Sequence, residues 1–279
     1  MTVSPDSSIE ATLRSRHAVN LTGQGRRPLI FLHGYGCSQA MWRFTAPAFE
    51  PTHRVVCYDH IGAGNSDLSL YNQEKYGTLR GYVADLIQLC VGLDLRESVL
   101  VGHSVSAIIG ALAVATAPSF FSGLVMVAPS PHYLNDADYH GGFSREDLAG
   151  LLEMLEANYL GWAGHVAGVV MGPENPAWMT AELNASFCRT DPAIATHFAK
   201  VTFGGDNRRD LPAVKKPTLI LQCTHDLIAP PAVGEFVHRA IAGSELVPID
   251  THGHCPHISA PHATIAAIQS FLARHGLTP

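Results

Sequence analysis

Charged side chains are scarce in this 279-residue chain: Asp, Glu, Lys and Arg make up 15%, against 47% hydrophobic residues. That balance excludes a disordered chain and calls for a compact body with a large apolar interior. No Lys/Arg cluster occurs and the net charge is −6, which argues against nucleic acid and membrane surfaces as partners. The N-terminal stretch MTVSPDSSIEATLRSRH has no apolar core of the kind a secretory signal carries. The longest apolar run, Val105 to Ala117, is too short and too rich in small residues to span a bilayer. No C-x-x-C spacing links Cys37, Cys57, Cys90, Cys188, Cys223 and Cys255, so a cytoplasmic protein without structural disulfides is expected. Gly62-Ala63-Gly64 lacks the third glycine of a dinucleotide fingerprint, and no P-loop lysine occurs. There is no internal repeat and no low-complexity tract.

What remains is an alternation of short apolar runs with helical stretches. Pro28–Leu32, Arg54–Tyr58, the run after Ser98, Gly123–Ala128, Pro217–Gln222 and Glu245–Ile249 read as strands buried on both faces. Arg16–Leu21 is a candidate edge strand. Helices are expected over Ser38–Phe49 with Ser38 as N-cap, Tyr76–Leu93, 105–117, Pro231–Ile241 and Pro261–His275. This is the pattern of an α/β fold with a mostly parallel, doubly wound sheet, and the length suits one large domain or a domain with an insertion.

The block 132–209 breaks the alternation with helices alone. Ser144 and Asp147 form a capping-box pattern, and Pro176 and Asp191-Pro192 open further helices. The block reads as a helical cap that divides the core into 1–131 and 210–279. Trp162, Val166, Met171, Trp178, Phe187, Phe198 and Phe203 give it more apolar bulk than a solvent-facing insertion needs, although any one of them could equally pack helix on helix.

Gly102-His103-Ser104-Val105-Ser106 stands where a strand gives way to a small-residue helix. A serine hydroxyl is a poor nucleophile at neutral pH, so an enzyme must expose it, set a base beside it and aim N–H donors at the oxyanion. A tight turn that does this leaves little room two residues to either side, hence the usual G-x-S-x-G. Gly102 fits that pattern and Ser106 departs from it. The same residues also read as a helix N-cap at Ser104, so partner residues must decide.

Asp226 and His254 follow the last two expected strands in the order Ser, Asp, His, where an orienting carboxylate and a base belong. His33-Gly34-Tyr35-Gly36 closes the first strand, and its Tyr35 N–H with that of Val105 would form an oxyanion hole. His252, His254 and His257 are spaced closely enough to invite a metal. His254 is already needed as a base and no fourth ligand accompanies them, so neither a metal nor a cofactor is expected. His252 and His257 then read as loop residues, Cys255 as a small buried thiol, and Asp59–Ser66 as a turn supporting the site floor.

Taken in order, HGYG, DHIGAGNS, GHSVS, HD and GHCPH resemble the α/β-hydrolase superfamily over essentially the whole chain. More narrowly, GHSVSAIIG, SPHYLND, YHGGF, LEANYLGWA, FCRTDP, LILQCTHDLIAP and GHCPHISAP are similar to the RsbQ-type group, which includes a bacterial general-stress regulator and the plant strigolactone and karrikin receptors. Ser106 matches the plant receptors. The resemblance implies a Ser104, Asp226, His254 triad, an oxyanion hole at Tyr35 and Val105, and a four-helix cap over an apolar pocket walled by Tyr35, Trp162, Val166 and Phe203. It implies a serine hydrolase for an ester or lactone of a small hydrophobic molecule. A second class it implies is a slow-hydrolysing sensor whose cap docks a protein regulator. Serine rather than aspartate at the elbow argues against dehalogenase and epoxide-hydrolase chemistry.

Overall fold

A computed structural model describes residues 7–278, leaving the polar start 1–6 and residue 279 outside the described part. Seven strands form one sheet there: β1 (Asn20–Thr22), β2 (Pro28–Leu32), β3 (Arg54–Tyr58), β4 (Ser98–His103), β5 (Phe121–Val127), β6 (Thr218–His225) and β7 (Glu245–His252). Their order is β1-β3-β2-β4-β5-β6-β7, parallel except for β1, which pairs antiparallel to β3.

The apolar runs are continuous because both faces of the sheet are covered. Side chains alternate in direction along a strand. Leu29, Phe31, Val99, Val101, Val125 and Leu219 therefore face one core with Trp42, Phe49 and α10 (Pro261–Arg274). Their neighbours Ile30, Leu32, Leu100, Leu124, Met126 and Ile220 face a second core built with α2 (Arg80–Gly92), α3 (Val105–Thr116) and α8 (Pro231–Ala240). Each such side chain contributes about 1.5–3 kcal/mol by burial.

Two local expectations fail. Arg16 ends a helix, α1 (Ser7–Arg16), and the edge strand begins only at Asn20. Between them Ala18 turns to a φ of 46°. Only Leu13 anchors α1 while Ile9 stays exposed, so no apolar period betrays the helix. Ser38–Phe49 is not one helix but two short 3₁₀ turns, Gln39–Trp42 and Ala46–Phe49. Ser38 makes no side-chain cap hydrogen bond, the Gln39 N–H donates to Asp59 Oδ1 at 2.8 Å, and Pro47 has no N–H with which to continue a helix.

Between β5 and β6 run the four cap helices α4 (Arg145–Ala157), α5 (Tyr159–Met171), α6 (Ala177–Arg189) and α7 (Pro192–Gly204). The Ser144–Asp147 capping box closes on itself at 3.0 and 3.2 Å, and Asp191 Oδ1 accepts from the Ala193 and Ile194 N–H groups at 2.9 and 3.1 Å. Leu148, Leu155, Trp162, Leu183 and Phe187 of the cap share a third core with Tyr133, Ile228 and Cys255 from the sheet's loops. Trp178 departs from Trp162, Val166, Met171, Phe187, Phe198 and Phe203, which are buried: it is exposed, edge-on to the exposed Phe44 at 6.2 Å. Among the described residues no helix is long and apolar enough to cross a membrane.

Candidate active site

Ser104 sits between β4 and α3 with φ 56° and ψ −124°, a conformation that costs a non-glycine residue about 1–3 kcal/mol. The Ser104 N–H donates to the Val127 carbonyl on β5 at 2.8 Å and holds the turn down. Gly102 is obligatory, since a Cβ there would lie 2.3 Å from the Ser106 carbonyl oxygen. The Ser104 hydroxyl caps no helix N–H. Instead it donates to His254 Nε2 at 2.8 Å.

His254 Nδ1 in turn donates to Asp226 Oδ2 at 2.6 Å. The other carboxylate oxygen, Oδ1, accepts the N–H groups of Ile228 and Ala229 at 2.8 and 3.0 Å. Ser104, Asp226 and His254 are 6%, 5% and 3% exposed, so the relay is largely dry. The His254 loop is also clamped to the cap: its backbone N–H donates to the Val170 carbonyl of α5 at 2.7 Å. Gly253 passes so close beneath that helix that a Cβ would lie 2.2 Å from the Met171 carbonyl oxygen.

Val105 opens α3, so its N–H has no helical carbonyl behind it. Tyr35, in the loop after β2, makes no backbone–backbone hydrogen bond through its N–H. The Tyr35 hydroxyl donates to the Ala195 carbonyl of α7 at 2.9 Å, which ties this loop to the cap. Tyr133 stands beside Ser104, and burial pushes its phenol up to about 12.

Four buried imidazoles support the site. The His60 N–H donates to His33 Nε2 at 3.1 Å, so the His33 proton is on Nδ1, which donates to the Gly34 carbonyl at 2.9 Å. Ser106 Oγ donates to the His33 carbonyl and accepts from His60 Nε2 at 2.8 Å. This explains the departure from glycine at the elbow's last position, for the hydroxyl joins two loops of the floor. His103 Nε2 donates to the His254 carbonyl at 2.8 Å.

His257, expected as a loop residue, is instead fully buried in the short helix α9 (Pro256–Ser259), 4.4 Å from both the Trp42 and His103 rings. His252 ends β7 and stacks on His225 at 4.2 Å. His103, Cys255 and His257 each offer a metal-ligand atom, all within 4.8 Å of one another. In this arrangement burial holds the Cys255 thiol protonated, and the His103 proton is engaged by the His254 carbonyl.

Burial lowers the basicity of His33, His60 and His103, and brings that of His257 to about 3. In the unfolded chain these groups protonate near 6.5. Between that value and the lower folded ones, the unfolded state binds more protons, so stability is complete above the unfolded value and falls as the pH drops. Melting temperatures from about pH 7 down to about pH 4 are expected to be level at first and then decline steeply, with proton uptake on unfolding. A level curve across that range would refute neutral burial of these four rings.

A cavity of about 120 Å³ opens onto Ser104 and His254. Tyr35, Val166 and Phe203 line it, and so do Phe143, Leu183 and Phe187. Trp162, expected at the wall, stands behind it: its buried indole backs Tyr35 at 5.9 Å and Phe187 at 5.4 Å. The stripe Val166, Val169 and Val170 on α5 faces the cavity at helical spacing, a signal that sequence reading took up only at Val166. The lining residue Thr202 had no sequence signal at all.

A family model described as the alpha/beta hydrolase family matches residues 29–268, a stretch that contains Ser104, the four helices between β5 and β6, Asp226 and His254. The chain belongs to that family. A probable esterase of Oryza sativa subsp. japonica is 37% identical to this α/β hydrolase over 254 residues, covering 90% of this chain and 94% of the relative. The karrikin insensitive 2 receptor CA of Petunia hybrida is 35% identical over 253 residues, again 90% and 94%. The structure of a hydrolase from Oleispira antarctica superposes with a TM-score of 0.93 at 37% identity, covering 95% of this α/β hydrolase and 97% of the other chain.

Proposed function

We propose that the protein is a serine hydrolase that cleaves an ester or lactone of a small hydrophobic molecule. One observation carries the reading: an unbroken hydrogen-bond chain from Ser104 through His254 to Asp226, at 2.8 and 2.6 Å, opens onto an apolar cavity. Ser104 Oγ attacks the acyl carbon while His254 Nε2 takes its proton, and Asp226 stabilises the resulting imidazolium. The oxyanion accepts the Tyr35 and Val105 N–H groups; each such donor contributes about 2.7–4 kcal/mol in the transition state. Collapse expels the alkoxide, which takes the proton from His254. Water, deprotonated by the same imidazole, then releases the acid from the acyl-enzyme.

A second reading has its own support. Val170 of the cap accepts the His254 backbone N–H, so a ligand that moves the base also moves the cap. A slow hydrolase could thereby report occupancy to a protein regulator docked on the cap.

Rapid mixing with para-nitrophenyl acetate separates the two. Sustained release after the first turnover supports the hydrolase. A burst of one equivalent that then stalls supports the sensor, and no release at all would overturn both.

A further inference from the structure

Thr202 lies on α7 one residue before Phe203, and both line the cavity that holds Ser104 and His254. Thr202 is 6% exposed, and its hydroxyl has no hydrogen-bond partner among the described residues. A helical threonine ordinarily turns its Oγ1 back to a carbonyl about one turn earlier. Other buried threonines of this protein do find carbonyls: Thr45 donates to His257 at 3.1 Å, Thr218 to Lys216 at 2.9 Å and Thr264 to Pro256 at 3.0 Å. Thr202 departs from that rule at the one place where a ligand would lie against it.

The cap side of the wall is otherwise apolar, with Val166, Val169, Leu183, Phe187 and Phe203 around it. His165, the other polar side chain that the cap helices place there, is exposed to solvent. A buried hydroxyl that faces the cavity without a protein partner is a ready partner for a ligand oxygen. It also discriminates, because an analogue without that oxygen leaves the hydroxyl unpaired.

We propose that Thr202 is a specificity-determining residue whose hydroxyl hydrogen-bonds a second oxygen of the substrate, apart from the scissile carbonyl. The preferred substrates are then small esters or lactones that carry an additional carbonyl or hydroxyl on an apolar skeleton. This rests on the hydrolase reading above and names its substrate class. The two ends of the substrate are held by different layers of the fold: the reacting carbonyl by the sheet's loops, the second oxygen by the cap.

The test compares para-nitrophenyl alkanoates with their oxo counterparts, the ketone placed at successive carbons, in the wild type, Thr202→Val and Thr202→Ser. The readout is the ratio of kcat/KM within each matched pair, so a general loss of activity cancels. At one ketone position the wild type is expected to favour the oxo ester about tenfold. Thr202→Val keeps the side chain's shape and should bring that ratio to near one, whereas Thr202→Ser should keep most of the preference. A wild-type ratio near one at every ketone position, or a preference that survives in Thr202→Val, would overturn the proposal. A wild type that forms no acyl-enzyme with any of these esters would remove the hydrolase reading and this proposal together. Plain-ester turnover with an unchanged ratio would remove this proposal alone.

Discussion

Ser104→Ala should lower kcat for short acyl esters by about five to six orders of magnitude. The loss is that large because the three groups act as one unit: without the hydroxyl, His254 has no proton to take and Asp226 no imidazolium to stabilise. The fold should survive. The φ of 56° at position 104 costs alanine about what it costs serine, and the turn is held by the backbone bond from residue 104 to Val127 at 2.8 Å, which the substitution leaves alone. Stability within about 1 kcal/mol of the wild type is therefore expected, with ligand binding retained in a thermal-shift assay. Turnover at the wild-type rate would remove Ser104 from the chemistry and leave the elbow a structural turn.

Asp226→Asn should cost about four orders of magnitude in kcat. The geometry gives the reason. Asp226 Oδ1 accepts two backbone N–H groups, from Ile228 and Ala229, while Oδ2 accepts the His254 Nδ1 proton. An amide has one oxygen, and the two backbone donors claim it. Its NH₂ group must then face His254 Nδ1, which becomes an acceptor, and the ring proton moves to Nε2, where it points at Ser104. The base is then in the wrong tautomer, although every heavy atom keeps its place. Steady-state kinetics on purified variant decide this, and a loss smaller than about tenfold would mean that the carboxylate does not set the tautomer.

Much of this was legible in the chain because the signals are local. Gly102 two residues before a serine, at the end of a β-branched run, marks a turn that admits no side chain there. Ser144 with Asp147, and Asp191 before Pro192, announce helix starts because the capping bonds join residues at most three apart. The strands declare themselves by unbroken apolar runs, since a parallel sheet covered on both faces has no polar side to display. α1 went unread for the same reason inverted: one buried leucine leaves no period. Ser38–Phe49 forms two short turns because the Gln39 N–H is held by Asp59, 20 residues away, and Pro47 lacks the N–H that one continuous helix would need.

The amino-acid sequence by itself determined most of the elements, the sharp turn at Ser104 and the order in which Ser104, Asp226 and His254 arrive along the chain. All of these depend on steric and hydrogen-bonding preferences between near neighbours. Only the tertiary structure decided which polar atoms are partners. Ser104 and His254 are 150 residues apart, and Ser106 meets His33 across 73. It also set Trp162 behind the wall, buried His257 between two rings, and left the Thr202 hydroxyl facing the cavity without a partner. The physical reason is that the cost of burying a polar group depends on what packing brings within about 3 Å of it, and no local pattern carries that information.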